Sequence, residues 1–193
     1  MKKFLASALM LLAASTTTTF AQNAVGSFSL QPKAGISIAD MTDTQGTTSR
    51  IGFVGGLEGE YQASDIFSLS LGVNYSQEGF KMKNSDNKIK LDYINVPILA
   101  NVYLTKGLAV KVGVQPGFNV GNSVTVDGNT TSSSKKDYDG IKSVALSIPV
   151  GLSYEISNVV LDARYNWGVT KAFDGLDSKN SVFQVTIGYK FQL

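Results

Sequence analysis

The 193-residue chain carries 17 Lys and Arg against 15 Asp and Glu, a formal net charge of +2, and contains neither Cys nor His. Without cysteine, no disulfide holds the fold, so an exported chain of this size must bury surface or enter a membrane. Without histidine, the commonest general base at neutral pH is missing, and zinc loses both of its favoured ligand types. Ser-His and Asp-His hydrolytic devices are thereby excluded.

Residues 1–21 have a basic start (Lys2, Lys3), an apolar run (Phe4 to Ala14) and a Thr19-Phe20-Ala21 end with small residues at the two positions a signal peptidase reads. This pattern predicts a secretory signal peptide over 1–21 and one domain over 22–193. The apolar run is too short to cross about 30 Å of hydrocarbon as a helix. With Lys2 and Lys3 assigned to the leader, the remainder has fifteen basic and fifteen acidic residues, so no basic footprint for nucleic acid is left.

The rest of the chain resolves into eight runs of period 2, the signature of two-faced strands. In the first, Phe28, Leu30, Ala34, Ile36 and Ile38 alternate with Ser29, Gln31, Lys33, Gly35 and Ser37. The second sets Ile51, Phe53, Leu57 and Tyr61 against Gly52, Gly56, Glu58, Glu60 and Gln62, and the third sets Phe67, Leu69, Leu71, Val73 and Tyr75 against Ser68, Ser70, Gly72, Asn74 and Ser76. The fourth slips phase: Ile89, Leu91 and Tyr93 share one parity, while Ile94, Val96, Ile98, Ala100, Val102 and Leu104 share the other. A β-bulge between Tyr93 and Asn95 is expected to restore one apolar face. The fifth run covers Leu108 to Val120, the sixth Val144 to Glu155 and the seventh Val159 to Thr170. The eighth places Phe183, Val185, Ile187, Tyr189, Phe191 and Leu193 opposite Gln184, Thr186, Gly188, Lys190 and Gln192. It resembles the C-terminal signal of bacterial outer-membrane barrels, a glycine followed by alternating large apolar residues. A strand this apolar must pair along both edges, and a closed barrel provides that.

The connectors alternate in length. Ala39 to Arg50, Lys81 to Lys88, Asn122 to Gly140 and Lys171 to Asn180 are long and polar, whereas Ala63 to Ile66, Thr105 to Gly107 and Ser157-Asn158 are tight. Membrane barrels have short periplasmic turns and longer outer loops, and an even strand count returns both termini to the periplasmic side. The Asn122 to Gly140 connector is low in complexity and is expected to be mobile.

Glycine placement decides which face turns inward. Gly35, Gly52, Gly56, Gly72, Gly113, Gly117, Gly151, Gly168 and Gly188 lie mostly on the polar parity. A soluble barrel's outer face would avoid them, but a narrow lumen needs small residues beside long ones. The polar face is therefore expected inside, bringing Lys33, Lys111, Arg164 and Lys190 together with Glu58, Glu60, Glu155 and Asp162 as a paired network. With no nucleophile and base beside them, these groups read as structural and not as a catalytic or proton-relay cluster.

Outward aromatics are expected to form two interfacial girdles. Phe28, Tyr61, Phe67, Tyr154 and Phe191 fall toward the short turns, and Phe53, Tyr75, Phe118, Trp167 and Phe183 toward the long loops. Asp137-Tyr138-Asp139-Gly140 and Asp174-Gly175-Leu176-Asp177 lack the spacing of a calcium loop and read as solvated turns.

The segment Leu91-Asp92-Tyr93-Ile94-Asn95-Val96-Pro97-Ile98-Leu99-Ala100-Asn101-Val102-Tyr103-Leu104, followed by Gly113-Val114-Gln115-Pro116-Gly117-Phe118, resembles the PorT-like outer-membrane β-barrel domain family of Bacteroidota. The resemblance implies an eight-stranded outer-membrane protein, and the family takes its name from a member needed for type IX secretion. Taken together, the expectation is an all-β, eight-stranded antiparallel up-and-down transmembrane β-barrel in the outer membrane of a Gram-negative cell. It is expected to be a monomer in lipid, with no catalytic, cofactor or metal residue. Its work is expected to be done by envelope structure and outer-loop contacts with a surface partner. The alternatives are an accessory role in type IX secretion with a secretion-system partner, and a soluble lipocalin-like ligand-binding barrel.

Overall fold

The computed structural model describes residues 24–42, 47–82, 87–126, 129–133, 142–171 and 179–193. The predicted leader over 1–21 lies outside them. The strands are β1 (Phe28–Met41), β2 (Thr47–Ser64), β3 (Phe67–Met82), β4 (Lys88–Asn95), β5 (Ile98–Thr105), β6 (Leu108–Val126), β7 (Asn129–Ser133), β8 (Val144–Ile156), β9 (Val159–Lys171), β10 (Lys179–Tyr189) and β11 (Phe191–Gln192). Every pairing is antiparallel, and the strands form a ring of eight staves. β4 and β5 share the fourth stave, and β10 and β11 share the eighth. Closure comes from β1 against β10, in register from Lys33↔Gly188 to Met41↔Asn180, with Leu30↔Phe191 continuing it on β11.

Two chain features set the breaks. Pro97 has no N–H to give a ladder, and Val96-Pro97 separates β4 from β5; there Val96 N bonds to Pro116 O and Gly72 N to Pro97 O. At Lys190 the main-chain N–H donates to Asn158 O, and Asn158 Nδ2 returns a bond to Lys190 O at 3.1 Å, so the last stave is tied to the β8–β9 turn. That turn, Ser157-Asn158, has φ of 46° and 73°, the left-handed pair of a two-residue hairpin whose twist matches its strands.

The faces segregate as the alternation predicts. Ser29, Gln31, Lys33, Glu58, Glu60, Ser68, Asn74, Lys111, Asp162 and Arg164 are buried, while Ile36, Leu57, Leu71, Val112, Val150, Ile187 and Leu193 are exposed. A water-soluble ligand-binding barrel would invert this, so the lipocalin-like alternative does not fit. The outward aromatics lie in rows: Phe28 is the cross-strand partner of Tyr61, Tyr75 pairs with Ile94 and Ile94 with Phe118, and Phe183 pairs with Tyr165.

Two expectations are corrected. The bulge between Tyr93 and Asn95 is absent: β3 and β4 stay in register from Asn74↔Asn95 to Lys81↔Lys88. The irregularity sits on β6, where Asp92 faces Gly121 but Tyr93 faces Asn119, leaving Val120 as the extra residue. Leu91 and Tyr93 therefore point inward, at 0% and 1% exposure, while Ile94 and Ile98 face out. The sequence slips phase because the lumen is itself apolar at that level. The second correction concerns the extent of the Asn122 to Gly140 connector, part of which is strand: β6 runs on to Val126 and β7 pairs back from Val126↔Asn129 to Asn122↔Ser133.

Candidate functional site

The predicted lumen residues do meet, in two groups. Mid-barrel, Glu58 is the hub. Its Oε1 accepts from Lys111 Nζ at 2.9 Å, and its Oε2 accepts from Lys33 Nζ and from Arg164 Nη2 at 3.2 Å. Asp162 Oδ2 stands 2.9 Å from Arg164 Nη2 and 3.1 Å from Lys111 Nζ. Strands β1, β2, β6 and β9 thus send five charges to one point across the lumen, each almost fully buried. Three cations share two carboxylates, so each anion is bridged twice or more. This dense pairing is what repays the loss of hydration.

The register shows how such long side chains fit. Lys33 is flanked by Gly56 on β2 and Gly188 on β10, and Gly151 on β8 lies between Lys111 and Arg164. A Cβ on Gly188 would come within 2.5 Å of Gln31 Nε2, and one on Gly56 within 2.1 Å of Val73 O. The glycines on the polar parity therefore serve two purposes: they give the cations room, and they let neighbouring strands close in.

Toward the short turns, Lys190 Nζ reaches Glu155 Oε2 at 2.6 Å and Glu60 Oε2 at 3.2 Å. Glu60 Oε1 also accepts from Ser68 Oγ at 2.7 Å and from Tyr103 OH, and Asn101 Nδ2 donates to Ser68 Oγ at 3.0 Å. Here one cation serves two carboxylates, the reverse of the mid-barrel group, so the two groups balance. Glu155 is the least enclosed, with its side chain 16% exposed.

Toward the long loops the lumen changes character, and sequence reasoning missed two of its charges. Arg50 and Glu78 are both buried, on the inward parity of β2 and β3, one residue and two beyond the ends of the runs recognised from periodicity. Arg50 Nη1 donates to Glu78 O, while the Glu78 carboxylate accepts from Asn95 Nδ2 and Asn180 Nδ2, each at 3.1 Å. Around them pack Leu91, Tyr93 and Val182, and Met41, Phe80 and Ile89 form an apolar cluster. Extending the inward parity of each strand past its last apolar residue is the signal that would have found Arg50 and Glu78.

Chemically, the described lumen offers ion pairs, amides and hydroxyls, and the hydroxyls of Ser68 and Tyr103 bond to Glu60, a carboxylate already engaged by Lys190. Among the described residues, no group of three or more Asp and Glu is placed to hold a metal ion. The patches Asp137 to Gly140 and Asp174 to Asp177 lie outside the described residues.

A family model described as an outer membrane protein beta-barrel domain matches residues 20–174. Among solved structures, Neisserial surface protein A is 20% identical over 85% of this chain and 97% of its own, with a TM-score of 0.57. Ail, the attachment invasion locus protein of Yersinia pestis, is 18% identical over 86% of this chain and 99% of its own, at a TM-score of 0.52. Its complex with the heparin analogue sucrose octasulfate gives 0.55. At such identities the likeness concerns the fold. No curated protein gives a significant match.

Proposed function

Because this chain belongs to the outer membrane protein β-barrel domain family, we propose that it acts as a plugged, monomeric outer-membrane scaffold, working without catalysis through envelope structure and through contacts of its long connectors at the cell surface. The observation that carries this reading is the mid-lumen knot in which Glu58 and Asp162 are bridged to Lys33, Lys111 and Arg164. A barrel of eight staves has an interior that side chains fill, so transport through a wide lumen is not its work. The test has two parts. Refolded into a planar bilayer, the protein is expected to give no steady conductance; large stable channels would overturn the reading. On whole cells, added protease is expected to cut near Thr130 to Lys136 and to spare Thr105 to Gly107; cuts confined to the short turns would put the long connectors on the periplasmic side.

A second reading, an accessory role in type IX secretion, is supported by the PorT-like segment Leu91 to Leu104, whose Pro97 lies at the break between β4 and β5. It requires that deletion of the gene abolish surface delivery of exported proteins, which the scaffold reading does not. Residues 1–21 we read as a leader removed on export, so the membrane form should begin at Gln22 by N-terminal sequencing.

A further inference from the structure

Glu78 is the exception among the lumen's carboxylates. Glu58, Glu60, Glu155 and Asp162 all meet a Lys or Arg, whereas no ion pair joins the Glu78 carboxylate to any described residue. Its two oxygens accept from the amides of Asn95 and Asn180, and Arg50 Nη1 donates to the Glu78 main chain. At 5% exposure this is a buried carboxyl with no ion-pair partner among the described residues, and its charged form costs heavily in desolvation.

Beside it lies a chamber of about 20 Å³, lined by Glu78, Tyr93, Asn95, Gln115, Asn166 and Asn180. That is room for a single water-sized guest. The chamber's walls carry polar atoms with no hydrogen-bond partner among the described residues: Gln115 Oε1, and both Oδ1 and Nδ2 of Asn166. Gln115 and Asn166 are each 3% exposed, so bulk solvent does not satisfy these atoms. Orphaned buried polar groups are rare, and several around one cavity call for a common partner.

We propose that this chamber is a binding site for one hard monovalent cation, such as sodium or potassium. The Glu78 carboxylate supplies the charge, and Gln115 and Asn166 supply neutral oxygen. A water molecule would satisfy the orphaned atoms, but Glu78 would then have to take up a proton to lose its charge, whereas a cation compensates the carboxylate directly. A calcium ion takes six to eight oxygens, usually with several carboxylates among them, and here there is one. Soft metals would want sulfur or imidazole, and the chain contains neither cysteine nor histidine. The Asn166 amide can present its oxygen in either of two flipped orientations.

The experiment uses the full mature barrel refolded in detergent micelles, followed by the heat-dependent gel shift of folded to unfolded protein. Melting is compared in sodium, potassium and choline chloride at equal ionic strength, for wild type and for Glu78→Gln, which keeps the shape of the side chain and removes its charge. The expected result is a midpoint several degrees higher in sodium or potassium than in choline for wild type, and equal midpoints for Glu78→Gln. Equal midpoints in all three salts for wild type, or the same salt response in Glu78→Gln, would overturn the proposal. Should Glu78→Gln fail to fold, wild-type crystals grown in rubidium chloride decide the matter. An anomalous peak in contact with the Glu78 carboxylate supports the site, and water density alone refutes it.

Discussion

The two halves of the lumen solve the same problem with different chemistry. From the middle to the short turns, the interior is filled by charge: Glu58, Asp162, Glu60 and Glu155 bind four cations in two groups, through the Lys33–Glu58 pair and further contacts between 2.6 and 3.2 Å. Toward the long loops it is filled by Leu91, Tyr93, Phe80, Met41 and Val182, with amides between them and one carboxyl, Glu78, that has no ion pair among the described residues. The ionic half gains its order from mutual dependence, since no member can leave without stranding another in a dry interior. The apolar half behaves like an ordinary protein core, in which each side chain is felt in proportion to its volume.

That contrast can be broken most forcefully at the hub. Glu58→Gln strands Lys33, Lys111 and Arg164 around the single carboxylate of Asp162. We expect a loss of about 3–5 kcal/mol, the cost of breaking a buried pair, read as a fall in the urea midpoint of vesicle-refolded protein. If the loss is below about 1 kcal/mol, water reaches the knot and the lumen is not dry. Next comes Leu91→Ala in the apolar half, where truncation of a fully buried leucine costs about 2–4 kcal/mol and depends on how far the neighbours collapse. Salt sensitivity sharpens the distinction, because the Leu91→Ala deficit should be the same at low and high ionic strength. Smaller again is Glu155→Gln at the partly open short-turn end. Lys190 retains Glu60 there, and we expect a cost of about 1 kcal/mol in the same urea titration. Smallest is Thr186→Val, within the ionic half but outside its pairing: Thr186 Oγ1 is buried with no partner, so its removal changes stability by less than about 1 kcal/mol in either direction. A large loss at Thr186 would show that a hidden hydrogen bond, and not charge alone, orders this region.

Much of this was legible in the chain. Strict alternation marked the eight staves, connector length marked the two ends, and glycines on the polar parity pointed inward, where Gly56, Gly151 and Gly188 do flank Lys33, Lys111 and Arg164. The four cations and four anions expected in the lumen all lie there. What failed was the assumption that one face is apolar from end to end. Leu91 and Tyr93 are apolar and inward, so the change of parity at Tyr93-Ile94 records a change in what the lumen holds, not a slip of the backbone. Arg50 and Glu78 were missed for the complementary reason: once the outward residues turn polar near the loops, period 2 no longer marks a strand, although β2 begins at Thr47 and β3 continues to Met82.

The closing seam carries a consequence for how the molecule is made. Most neighbouring staves are joined by hairpins, but β1 must find β10 at the other end of the chain, pairing Lys33 with Gly188. The knot depends on the same event, since Arg164 meets Glu58 across 106 positions of sequence. Bringing the ends together costs loop entropy that nothing repays until contact is made, so joining the first and last staves is expected to be the slow step. Until then the sheet is a ribbon with its ions on one side and its greasy residues on the other, unable to sit comfortably in either water or lipid. Insertion and circularisation are therefore expected to proceed as one concerted act, with the folding rate set by the time the two ends of the chain take to meet.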